Sequence, residues 1–255
     1  MNRRLTPVAL GVVSFAAIFL AWELAVRAGW LNPFFTSQPT AIAAALIRSA
    51  ESGELWQSVG VTLGEFAAGF GAAIVVGFSV GVLAGRSRTI EYALDPFIWF
   101  IYSAPLIAFY PLFVLWLGLG TRTVVAISFL LSVTPIAVNT TSGIRQINSS
   151  LILAARSFGA GPRDLLWKVV LPGSVPMIVA GLRLGVGRAL TGVVIAELFV
   201  PSGGIGSSIA YNAGLLRTTN MLAALMVIVA LGVICTQSLS AIEARFDTWR
   251  TGPGL

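Results

Sequence analysis

SLILAARSFGAGPRDLLWKVVLPGSVPMIVAGLR, residues Ser150 to Arg183, decides how the rest of the chain is read. It is the longest interruption between apolar runs in the second half of the sequence. It carries Arg156, Arg163, Asp164 and Lys168, yet it is too apolar to be a solvated linker. Leu151, Ala155 and Phe158 recur at i, i+4 and i+7, the spacing of one helix face. Gly159 to Gly161 breaks that helix. Pro162 starts a second one, because a proline in the first turn gives up no needed hydrogen bond. Leu171-Pro172 is expected to end it, since the residue before a proline is pushed out of the helical region. Two short helices with a glycine joint, held between apolar runs, read as a docking surface.

The composition says what those runs are. Hydrophobic residues make up 56% of the 255 residues and charged ones 10%, where a soluble domain carries roughly a quarter charged. So few charges cannot keep a folded surface polar, and the chain reads as an integral membrane protein. Glycines inside long unbroken apolar runs make helices, not a barrel, the spanning elements. The predicted class is all-α: a polytopic membrane protein of about six transmembrane helices, one domain over residues 1–255, with the docking loop at about 150–172. The single cysteine, Cys235, excludes an internal disulfide and reads as a small core residue. With no histidine, a histidine relay or histidine metal site is excluded. The net charge of +6 reflects basic loops on the cytoplasmic side and not a nucleic-acid partner.

In order, the first span runs from Leu5 to Trp22, too long and without the cleavage site of a signal peptide. Glu23 and Arg27, four apart, are placed to pair on one helix face. Pro39 to Ser49 reads as an amphipathic helix on the outer surface. The second span is expected at about Phe66 to Ala84, with Gly69 and Ala73, then Gly77, Gly81 and Gly85, spaced for close helix packing in a small-residue seam, the other reading being a substrate contact. Gly85 to Tyr92 reads as a short charged loop. The third run, Pro96 to Gly120, holds Pro105 and Pro111, each of which removes a helix hydrogen bond. Broken backbone at membrane depth needs protein or a wet cavity around it, so this run lies beside a wet path or is a kinked packing helix. The fourth span, Val124 to Ile144, is bent at Pro135. The fifth runs from about Val175 to Val200 and the sixth from about Met221 to Ile242. Between these two, residues 201–220 form a glycine- and serine-rich segment that is re-entrant or lies on the surface.

Orientation follows from counting. With the N-terminus inside, the inner segments hold Arg3, Arg4, Arg86, Arg88, Arg145, Arg156, Arg163, Lys168, Arg245 and Arg250. The outer segments hold Arg27, Arg48, Arg122 and Arg217. Excess Lys and Arg marks the cytoplasmic side, which places both termini and the docking loop there.

Chemistry is sparse. The one lysine, Lys168, follows no glycine-rich turn, so there is no nucleotide P-loop. A Gly-x-Ser-x-Gly elbow and clustered metal ligands are also missing, and the chain is not expected to be an enzyme. Arg183, Arg188 and Glu197 stand out on the fifth span, because ionisable groups at depth face a partner or a wet cavity. Arg183 lies near the cytoplasmic end and can snorkel. Arg188 sits deeper, where it either faces the path of an anionic solute or pairs with an acid on a neighbouring helix. Glu197 lies about 6 Å below the outer end by helix rise, as a structural pair or an outer gate.

LAARSFG at Leu153 to Gly159 followed by LPGSVP at Leu171 resembles the EAA loop of binding-protein-dependent ABC importer permeases. SGELW at Ser52 to Trp56, PLFVLWLGLG at Pro111 to Gly120, and AELF followed by GIG at Gly204 to Gly206 are similar to the nitrate, sulfonate and taurine branch of that superfamily. The resemblance covers nearly the whole chain. It implies a coupling helix seated on a cytoplasmic ATPase, with Ala154, Ala155, Arg156 and Gly159 docking and Gly159 making the bend. Leu153 replaces the motif's glutamate, so apolar burial stands in for any salt bridge there. Ser157, Phe158, Ala160, Leu171 and Pro172 complete the loop, and Pro105, Arg183, Arg188 and Glu197 are the path candidates.

The same resemblance implies a multi-pass protein of the bacterial inner membrane working by alternating access. Its partners would be a cytoplasmic ATPase dimer, a periplasmic or lipid-tethered solute-binding protein and a second permease copy, making a homodimer. No cofactor is implied on this chain; ATP and magnesium belong to the ATPase. Two other readings stand against this one. A secondary, ion-coupled transporter would use its own Arg and Glu residues, and many such folds carry two related halves, of which this sequence shows no repeat. A non-transporting scaffold would stimulate no ATPase.

Overall fold

A computed structural model of the chain describes the backbone of residues 5–247 and the side chains of residues 10–238. Arg3, Arg4 and Arg250, and the side chain of Arg245, lie outside what it describes. All regular secondary structure among the described residues is helical. At the N-terminus lie α1 (Leu5–Arg27), α2 (Pro33–Thr36) and α3 (Pro39–Glu51). Next come α4 (Glu54–Arg86), α5 (Arg88–Ser103), α6 (Tyr110–Leu117) and α7 (Thr121–Arg145). The second half holds α8 (Ser149–Ser157), α9 (Pro162–Leu165), α10 (Leu171–Phe199), α11 (Ile205–Gly214) and α12 (Thr218–Asp247). Among the described residues, five helices are long and apolar enough to cross a membrane; α5 and the segment up to Leu117 pass the same test together and bring the number to six if the bent pair is one span.

α7 is the axis, with α4 and α10 packed along it. Water gives helices no hydrophobic push together inside lipid, so close backbone approach must hold them, and small residues permit it. α4 runs parallel to α7: Gly69 meets Ser128, Gly77 meets Val133 and Ile136, Gly81 meets Thr140 and Gly85 meets Ile144. A Cβ on Gly81 would stand 2.5 Å from Thr140 Cβ and 2.8 Å from the Ala137 carbonyl oxygen. The glycine spacing in α4 therefore marks a packing seam, and it continues on the far side of α7. There α10 runs antiparallel, with Gly181 against Asn139 and Gly192 against Ser128. Two serines buried on α7 find backbone acceptors: Ser132 Oγ donates to Ser128 O at 2.7 Å, and Ser128 Oγ donates to Ala189 O at 3.2 Å.

The second span is longer than its apolar core. α4 starts at Glu54, ahead of the expected Phe66, with its first buried position at Thr62. The expected charged loop at residues 85–92 shrinks to Ser87, whose hydroxyl accepts from Ile90 N–H at the start of α5. Glu91 is thereby brought 2.6 Å from Arg145, whose Nη2 also donates to Ala84 O at 2.8 Å. α5 and the following segment meet at 85°. Pro105 stands at this break, while Pro111 lies in the first turn of α6, where its missing N–H is harmless. Pro96 lies inside α5 and Pro135 inside α7.

Leu171-Pro172 does not end a helix. Helical backbone runs unbroken from Pro162 to Phe199. Residues Leu166–Val170 widen into a π-helical turn, in which Leu171 N–H reaches back to Leu166 O. The wider turn shifts the hydrogen-bond register by one residue and gives Pro172 its place without a clash.

At the opposite end, Glu23 accepts from Arg27 Nε at 2.8 Å, from Thr40 N–H at 3.1 Å and from Thr40 Oγ1 at 2.9 Å. The expected pair exists and also latches α1 to α3. Pro39–Glu51 is helical as read, packing Ile42 and Ala45 against Ala223 of α12. The glycine- and serine-rich segment holds α11, which packs on α10, α12 and α4.

Candidate functional site

α8 begins at Asn148, whose side chain accepts from Ser150 N–H at 2.9 Å. It ends at Gly159, with φ +81, where Gly159 N–H bonds Arg156 O and Ala160 N–H bonds Ala155 O. That is the paired closure of a Schellman end, which favours glycine at this position. Gly159 is thus the joint between two helices. On the apolar face predicted for this helix, Phe158 is 93% exposed and Leu151 is exposed among the described residues, while Ala155 is partly covered; the neighbouring Leu153 is exposed too. Ala154, Arg156, Ser157, Gly159 and Pro172 are exposed, while Ala155, Ala160 and Leu171 are half-buried. Next to the joint, Lys168 and Asp164 pair at 2.7 Å on the surface. The loop sits beyond the ends of α7 and α10, at the same end as Arg86 and Arg145.

The four path candidates divide. Arg183 and Arg188 lie on the exposed side of α10 with Leu184, Gly187 and Thr191. Arg188 has no acidic partner among the described residues; its guanidinium stands 5.8 Å from the centre of the Tyr102 ring. Tyr102 lies on the last turn of α5, three residues before Pro105, so the structure brings the Pro105 break and Arg188 together.

Glu197 points the other way, into protein, at 1% exposure. Its Oε1 accepts from Thr62 Oγ1 at 2.7 Å and its Oε2 from Gly206 N–H at 2.7 Å. Thr62 Oγ1 in turn accepts from Ile205 N–H at 2.9 Å. Glu65 is buried beside it with one oxygen lacking a donor. A Cβ on Gly204 would overlap the Glu197 carboxylate, which accounts for the glycines of GIG following AELF. Glu197 is thus tied by hydrogen bonds to Thr62 and Gly206, with no ion pair to a basic residue among the described residues. The sequence reading missed Thr62, Glu65 and Tyr102. Glu65 carried a signal, an acid three residues from Thr62 in an apolar run, but it fell just before the expected start of the second span. Tyr102 carried none apart from its neighbour Pro105.

The comparisons fit this geometry. The family model described as binding-protein-dependent transport system inner membrane component matches residues 73–247. The taurine transport system permease protein TauC of Escherichia coli (strain K12) is 29% identical over 95% of this chain and 90% of its own length. SsuC of the same strain, described as an aliphatic sulfonates transport permease protein, is 31% identical over 96% of this chain and 95% of its own length. In fold, the chain is similar to a subunit of the MetNI methionine ABC transporter in an inward-facing conformation, with TM-score 0.68 and 21% identity over 77% of this chain and 98% of that one. It is also similar to a chain of an amino acid ABC transporter solved with histidines, with TM-score 0.63 and 16% identity over 80% of this chain and 97% of that one. A multi-pass helical chain of this length, matched over most of its sequence, belongs to the family of inner membrane components of binding-protein-dependent transport systems.

Proposed function

We propose that this chain is the membrane-spanning subunit of an ATP-driven importer for a small anion of the sulfonate, taurine or nitrate kind. Two like copies enclose the path, and a solute-binding protein delivers solute to the outer face. The termini and α8 face the cytoplasm, where an ATPase dimer binds ATP and magnesium. Closure of that dimer pulls the α8–α9 joint, and the bundles rock between inward-open and outward-open packings. The names of the relatives, taurine and aliphatic sulfonates, support the solute class.

The observation that carries the coupling is the bare face of α8. Exposed apolar residues grouped on one element mark an interaction site, and Phe158 at 93% exposure lies at its tip. The test uses Ala155→Asp, which puts a charge on the docking face, and Gly159→Pro, whose ring cannot adopt the positive φ of the joint. Either change is expected to cut transport-linked ATP hydrolysis at least tenfold while the chain still accumulates in the membrane. Unchanged hydrolysis contradicts the docking role. Uptake that persists when the ATPase has lost its catalytic residue would return the chain to the ion-coupled reading.

A further inference from the structure

Arg188 lies deep in a 29-residue helix, about 26 Å from Leu171 and about 16 Å from Phe199 by helix rise. It is exposed, and no acid among the described residues pairs with it. A bare guanidinium at that depth is too costly to face lipid. The Pro105 break, with its 85° bend, carries the same demand independently, because interrupted backbone at membrane depth must be buried in protein or face water. Both demands meet at one residue, Tyr102. It is half exposed, closes the last turn of α5 and holds its ring 5.8 Å from the Arg188 guanidinium carbon. Trp99 packs edge-on against that ring with centroids 5.7 Å apart, which limits how far it can swing.

We infer that Tyr102 is the positioning residue for Arg188, holding its guanidinium so that the free N–H groups select an oxyanion headgroup such as a sulfonate on a wet face. This inference rests on the anion-import reading above and adds to it the group that recognises the anion and the ring that orients it. An aromatic face attracts a cation within about 6 Å, and it leaves the donor fork of arginine free for two parallel bonds to oxygen. Lysine has no such fork. Thr191, one turn further along the exposed side of α10, offers a hydroxyl, although its proton goes to Gly187 O at 2.8 Å.

The test is equilibrium binding to the permease–ATPase complex in nanodiscs without binding protein. The probes are ethanesulfonate and its neutral isostere ethanesulfonamide. The parent is expected to prefer the anion at least tenfold, and Arg188→Gln to abolish the preference. Tyr102→Leu is expected to weaken ethanesulfonate about tenfold, with Tyr102→Phe restoring binding to within about twofold, because the ring and not the hydroxyl does the holding. Arg188→Lys keeps the charge but loses the fork, and is expected to fall about tenfold. Tyr102→Leu or Arg188→Lys binding as tightly as the parent overturns the positioning claim. A parent that binds both probes equally, or neither, overturns the anion site. Co-purification of the parent with its ATPase, measured on the same preparation, reports on the importer reading alone.

Discussion

Thr62 and Glu197, 135 positions apart in sequence, are joined by a 2.7 Å hydrogen bond in the buried interior. The bond ties the start of α4 to the end of α10, and through Ile205 and Gly206 it fixes the turn into α11. One acid therefore organises three helices at the end of the bundle away from the α8–α9 joint.

Removing that acid leaves Gly206 N–H and the Thr62 hydroxyl proton without acceptors. An unsatisfied buried polar group costs about 1–3 kcal/mol. Glu197→Ala is expected to lower the unfolding temperature of the detergent-solubilised complex clearly, and Glu197→Gln to lower it less, because one acceptor oxygen remains. Thermal unfolding followed by tryptophan fluorescence separates the two; equal loss, or none, would show that the network does not hold the turn.

The α4–α7 seam makes a sharper contrast. Gly81→Val places a branched side chain where even a Cβ stands 2.5 Å from Thr140, and overpacking of this kind costs about 1–3 kcal/mol or more. Gly71, on the same helix, has nothing within 4 Å of its would-be Cβ, so Gly71→Ala is expected to be neutral or slightly stabilising. Membrane accumulation and monodispersity of the two variants check this, and similar behaviour of both would contradict the seam.

At the loop end, Arg145 contacts Glu91 at 2.6 Å and donates to Ala84 O. Its Nε has no partner, and the Glu91 oxygen nearest to it lacks an aligned hydrogen bond. The contact is a close charge pair more than a well-directed bond. A double-mutant cycle with Arg145→Ala and Glu91→Ala is expected to give a coupling of about 1 kcal/mol, with Arg145→Ala costing more than Glu91→Ala because it also strips Ala84 O. Equal single-mutant costs would mean that the carbonyl bond contributes nothing.

These residues also show what the sequence made legible. The glycine repeat on α4 reads directly, because close approach in lipid leaves small residues as its trace. Span limits read poorly, because hydropathy marks the most apolar stretch and not where helical backbone begins: α4 begins twelve positions before its expected start, and the charged loop after it collapses to one residue. Leu171-Pro172 misled because a proline rule for α-helices does not anticipate a widened turn just before it. The apolar spacing of α8 was legible in the sequence, and the structure adds that Leu151 and Phe158 on that face are exposed among the described residues. Tyr102 could not be found, since only the fold sets it over an arginine 86 positions later.

The most direct test of the central claim is the accessibility of the α8–α9 joint. In a Cys235→Ser background, Ala160→Cys is treated with a membrane-impermeant maleimide in intact cells and in inverted vesicles, with and without the ATPase. The account predicts labelling in inverted vesicles alone, and blocked when the ATPase is bound. Labelling from outside intact cells, or no protection by the ATPase, would contradict it.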